Sequence, residues 1–124
     1  MANALVYVAG AALVLWGAAH IASTRPVANS FGEISADNRR ILVMEWVAEG
    51  VTHISIGGLA ILIASLEGSG DPAVQLVYRV LAGVLVALAA LTALTGARTL
   101  VIWFKVCPFV LTSAAALLLA GSSL

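Results

Sequence analysis

The chain has 124 residues, of which 62% are hydrophobic and only 10% charged, and its mean hydropathy is +1.09. A soluble domain this small leaves about a third of its chain surface in water and cannot hide so much apolar side chain. Six basic and six acidic residues cancel, so no basic surface points to nucleic acid, and the single Cys107 rules out a disulfide scaffold.

The bilayer is therefore the expected solvent, and a spanning helix needs about 20 mostly apolar residues. Four stretches qualify, at about 4–22, 41–66, 73–97 and 100–121, and they leave almost nothing over. The expected fold is an all-α bundle of four transmembrane helices in one domain. The first stretch has no basic n-region and exceeds the usual length of a signal-peptide core, so it is read as a retained helix.

The junctions fit this division. Ser35 or Asp37 can cap the second helix, which is expected to run unbroken from Ser35 to Leu66. Asp71 followed by Pro72 places a cap residue and then a preset φ at the start of the third. The short polar segment from Glu67 to Asp71 predicts an antiparallel hairpin of spans two and three, with Arg79 pairing to Asp71 or Glu67. In the fourth, Pro108 is expected to begin the embedded helix, with Lys105 snorkelling and the aromatics Trp103 and Phe104 at the interface.

Arg25, Arg39, Arg40, Arg98 and Lys105, five of the six basic residues, fall in or beside the first and third connections. The positive-inside bias makes that face cytoplasmic and puts both termini outside, in a bacterial inner membrane. Trp16, Trp46 and Trp103 gather toward that face and Tyr7 and Tyr78 toward the other, as interfacial belts would place them. Small residues crowd spans one and three, among them Gly10, Gly17, Ala82 and Gly83. No two glycines stand four apart, so only a loose small-residue contact between helices is expected, within the bundle or between copies.

Chemistry concentrates in the second helix. Glu45, Glu49 and His53 are spaced four apart and fall on one face that drifts about 80° in all. A charge at helix centre costs about 2.5–3.5 kcal/mol even on the lenient insertion scale, so these groups must face inward, pair or neutralise. His20, near the end of helix one, lies opposite the start of helix two. Glu45 either pairs with a neighbouring Arg or Lys at the interface or joins His20, Glu49 and His53 in a polar pocket in the cytoplasmic half.

Three uses of that pocket compete: acid–base chemistry on a lipophilic small molecule, metal or haem binding, and a proton relay. The first is preferred, with Glu49 and His53 as the acid–base groups. The Glu-x-x-His spacing of carboxylate-bridged metal sites is missing, so no metal is expected, and the sequence does not specify a cofactor. A non-catalytic subunit of a larger complex, and a proton-coupled carrier working as an oligomer, remain as alternatives. The runs Phe31-Gly-Glu-Ile-Ser-Ala-Asp-Asn-Arg-Arg, Met44-Glu-Trp-Val-Ala-Glu-Gly and Phe104-Lys-Val-Cys-Pro resemble small four-helix bacterial membrane proteins, broadly DoxX-like in layout. The resemblance implies a compact four-helix membrane fold and transfers no catalytic residue.

Overall fold

The computed structural model describes residues 2–66 and 71–123. Five α-helices follow in order: α1 (Ala2–Ala22), α2 (Thr24–Ser30), α3 (Ala36–Leu66), α4 (Pro72–Leu94) and α5 (Ile102–Gly121), with a 3₁₀ turn at Gly96–Arg98. Four of them, α1, α3, α5 and α4 with its 3₁₀ extension, are long and apolar enough to cross a membrane. This is the all-α, four-span architecture of a multi-pass membrane protein.

Local chemistry sets the boundaries. The Ser35 hydroxyl accepts from the Asn38 amide at 3.1 Å and so caps α3. Thirty-one residues then run without a break, about 46 Å of helix against a hydrocarbon layer of about 30 Å. Asp71 caps α4, its carboxylate accepting from the amides of Ala73 and Val74 at 2.7 and 3.3 Å. That use replaces the expected pair with Arg79, which forms no ion pair among the described residues. The turn expected after Leu66 lies, apart from Asp71, outside the described residues, and Glu67 with it.

Sequence reading missed α2. Pro26 sits in its first turn, where a missing N–H costs nothing. Gly32, at φ +69°, then turns the chain into α3 through a conformation that suits glycine. The start of α5 also differs from expectation. The helix begins at Ile102, so Pro108 lies inside it and supplies no amide for the Phe104 carbonyl.

The order of packing is α3 against α1, α1 against α5 and α5 against α4; α3 and α4 barely touch. The hairpin partners of the sequence reading are thus chain neighbours without a shared interface. The α1–α3 contact explains why. A Cβ on Gly17 would stand 2.5 Å from the Gly50 carbonyl oxygen, and one on Gly57 would stand 2.5 Å from the Gly10 oxygen. Both helices carry their glycines seven apart, so two backbone-to-backbone approaches fall on one seam about 10.5 Å apart. The tight small-residue interface therefore joins spans one and two, whereas Gly83 of α4 faces open space.

The half of the bundle nearer the chain termini is filled. Val6, Leu13, Tyr78, Leu85, Leu111 and Leu118 are wholly buried there among alanines of all four long helices. Tyr78 is thus a core residue, while Tyr7 is exposed and bonds the Ser65 hydroxyl at 3.1 Å. The half nearer the basic connections is where the packing opens.

Candidate functional site

The end of α1 is held by α3. An α-helix leaves its last four carbonyls without amide partners. The Trp46 indole N–H, from α3, donates to the His20 carbonyl at 2.7 Å, and the Ser23 hydroxyl donates to the same oxygen at 2.8 Å. Thr24 serves the Ile21 carbonyl at 2.6 Å. Trp46 is therefore buried, and of the three tryptophans expected at the interface only Trp103 is broadly exposed.

Fixing the His20 backbone also fixes its ring. The imidazole stacks on Trp46 with centroids 3.8 Å apart and planes 14° from parallel, and meets His53 edge-on at 5.9 Å. Its Nε2 lies 3.5 Å from Oε2 of Glu49, within ion-pair range but without a formed hydrogen bond. The Trp46 ring in turn meets Phe104 of α5 edge-to-face at 5.3 Å.

The stripe along α3 runs from outside to inside, as its angular drift requires. Glu45 is exposed, Glu49 keeps 30% of its side-chain surface, and His53 is wholly buried with neither ring nitrogen bonded. Glu45 forms no ion pair among the described residues, so the expected interfacial pairing with Arg or Lys is not made. Arg40 instead pairs with Asp37 on the exposed start of α3, at 3.0 Å, and Arg39 reaches Asn29 of α2 at 3.1 Å. The structure thus brings His20, Glu49 and His53 together and leaves Glu45 at the rim.

Two hollows flank this group. One, of about 160 Å³, is lined by Trp16, His20, Trp46, Trp103, Phe104 and Cys107. Its walls are mainly aromatic, and its volume is near that of an engineered cavity known to admit benzene. The other, of about 400 Å³, is the cleft between α3 and α4, with Glu45, Glu49 and Thr52 on one wall and Thr92 and Thr95 on the other. Trp46 and Phe104 border both. The polar group therefore stands in the partition between an aromatic hollow and a carboxylate-lined cleft.

Sequence reasoning missed Phe104, Cys107, Thr92 and Thr95 as site residues. The aromatic pair Trp103-Phe104 read as interfacial. In fact Phe104 turns inward and packs over Gly96, whose missing side chain leaves room for the ring: a Cβ there would come within 2.9 Å of Phe104 Cδ1. Cys107, one turn along α5, is almost wholly buried. Threonines near a helix end carry little signal, and only the approach of α4 to this cleft gives them a neighbour in Glu49.

Among the described residues no three His, Cys, Asp or Glu side chains converge as metal ligands. What the arrangement can do chemically is hold a proton between a carboxylate and two imidazoles, next to apolar space. Comparison with known proteins gives no match to this chain among protein-family models, curated proteins or solved structures.

Proposed function

We propose that this chain is a bacterial inner-membrane protein that binds a small lipophilic molecule in the cytoplasmic half of the bundle and acts on it by acid–base chemistry. One observation carries the reading. The His20–Glu49 pair, with His53 behind it, sits in the partition between two hollows, while the other half of the bundle is close-packed. Ionisable groups inside a membrane are costly and are kept where they face a cavity or one another. Here they do both.

Glu49 is the proton-carrying group in reach of a ligand, being part open to the cleft. His20 is the group that exchanges a proton with it, and His53 stands behind as the second base. Glu45, at the rim, biases the entrance toward donors. The five basic residues at this end support a cytoplasmic orientation. Kinship with DoxX-like proteins, proposed from the three motifs, bears on the architecture alone.

The test is mass spectrometry of protein released gently from its membrane, wild type beside Glu49→Gln. Glu49→Gln is nearly isosteric and should fold and insert normally while losing the small molecule that accompanies the wild type; Glu45→Gln should lose less. Equal retention by Glu49→Gln would refute the reading. Loss of a bound protein chain in place of a small molecule would show the stripe to be the contact of a complex subunit.

A further inference from the structure

The polar groups of the α3–α4 cleft are of one kind. Thr52, Thr92 and Thr95 each donate their hydroxyl hydrogen to a carbonyl four residues back, at 2.8, 2.9 and 2.7 Å. With the hydrogens so used, only oxygen lone pairs remain for a ligand. Glu45 and Glu49 add two carboxylates. Among the described residues no Lys, Arg or amide side chain lines the cleft to answer them.

The aromatic walls add to the same preference. Trp46 and Phe104, set edge-to-face at 5.3 Å, border both the cleft and the neighbouring hollow. A ring attracts a cation over its face; the His20 imidazole already covers one face of Trp46, so the half-buried Phe104 is the ring better placed to meet a cation from the cleft.

Behind the carboxylates stand hydrogen-bonding groups that are buried and unused. His20 is 7% exposed, and its Nε2 aims at the Glu49 carboxylate from 3.5 Å without completing a hydrogen bond. His53 is wholly buried, and both its nitrogens lack partners. Glu49 thus has protonatable neighbours but no permanent cation. A buried or half-buried carboxylate needs a positive partner. In this cleft a proton or a ligand has to supply it.

We propose, building on the lipophilic-site reading above, that the ligand is a lipophilic cation: an amine or quaternary ammonium bearing an apolar tail. Its charge lies between the Glu45 and Glu49 carboxylates and beside the half-buried Phe104 ring. Its tail leaves through the gap between α3 and α4, where the helices barely touch. The three threonine oxygens take the N–H groups of an amine or the polarised methyls of a quaternary head. The ligand's charge and a proton on Glu49 are alternative ways to neutralise one carboxylate.

The test uses nanodiscs of phosphatidylcholine, which carries no net charge, and three probes that share a ten-carbon chain: decyltrimethylammonium, decanol and decyl sulfate. Tryptophan emission reports binding, because Trp16, Trp46 and Trp103 all line the aromatic hollow. Empty discs, read by equilibrium dialysis, correct for partition into lipid. The cation should bind at least about tenfold tighter than decanol, the difference expected of a carboxylate contact joined to a cation–π contact. Decyl sulfate should bind worst. Glu45→Gln, on an exposed side chain that holds nothing in the fold, should lower the ratio of cation to decanol affinity. Phe104→Leu should lower the same ratio by removing a ring face at similar volume. Decanol or decyl sulfate binding as tightly as the cation would overturn the cation proposal and leave a lipophilic site standing. No probe bound above the empty-disc level would overturn both.

Discussion

The α1–α3 seam makes a quantitative prediction through Gly17→Ala. The new methyl would stand 2.5 Å from the Gly50 carbonyl oxygen, 2.8 Å from Ile54 Cγ1 and 3.0 Å from His53 Cβ, where ordinary contact begins at 3.4 Å. The first of these neighbours is backbone and cannot rotate away, so the helices must part by about 1 Å. Overpacking of this kind costs about 1–3 kcal/mol. Removing a glycine from a helix interior returns about 0.5–1 kcal/mol. The net expectation is a loss centred near 1 kcal/mol, within a range of about 0–2.5 kcal/mol.

Gly83→Ala is the matched control. Nothing lies within 4 Å of its Cβ position, so only the gain applies, and the variant should be slightly more stable than wild type. Reversible unfolding in mixed micelles of a mild detergent and sodium dodecyl sulfate, followed by far-ultraviolet circular dichroism, measures both. Gly17→Ala should also weaken the His20–Glu49 pair, since His20 lies one turn from Gly17 and Glu49 beside Gly50. Equal stability of the two variants, within about 0.5 kcal/mol, would refute the close approach of these backbones.

Two further outcomes are expected. Trp46→Phe keeps a ring against His20 but removes the indole N–H from its carbonyl. With the Ser23 hydroxyl still donating to that oxygen, the loss should be near 1 kcal/mol in the same unfolding measurement. For orientation, single cysteines at the exposed Ser30 and Ser123, in a Cys107→Ser background, should behave oppositely toward an impermeant maleimide. Ser123→Cys should label in intact cells and Ser30→Cys only after permeabilisation; labelling of Ser30→Cys in intact cells would reverse the topology.

What was legible in the sequence follows from the strength of each local signal. Spans of about 20 apolar residues have few other homes, and Ser35 or Asp37 and Asp71-Pro72 are cap signals that narrow a helix start to a residue or two. The Glu45–Glu49–His53 stripe, with His20 opposite, followed from spacing alone. Which helix lies against which did not. Gly10 and Gly17, and Gly50 and Gly57, match in spacing, but a pair seven apart in each of two segments becomes informative only once they are aligned antiparallel. Gly50 read in isolation is a weak point, whereas against Gly17 it is a contact. Trp46, Phe104 and Tyr78 failed for a related reason. An aromatic residue near a membrane boundary satisfies an interfacial rule and a core rule equally well, and the choice between them is made by a neighbour on another element: the His20 carbonyl for Trp46, Gly96 for Phe104.

The uneven packing of the four long helices has a mechanical consequence. Glycine contacts seam α1 to α3, and α4 packs on α5, so the molecule consists of two stiff plates joined along α1 and α5. Among the described residues, the plates face each other without interlocking between α3 and α4. A body entering there acts as a wedge with the α1–α5 line as its fulcrum. Both carboxylates ride on one plate, Thr92 and Thr95 on the other, and Phe104 is carried by the second plate while Trp46 is carried by the first. Widening the jaw therefore separates every pair of facing groups at once, and the grip on whatever sits inside is set by how firmly a few residues such as Val6 and Gly121 hold the hinge.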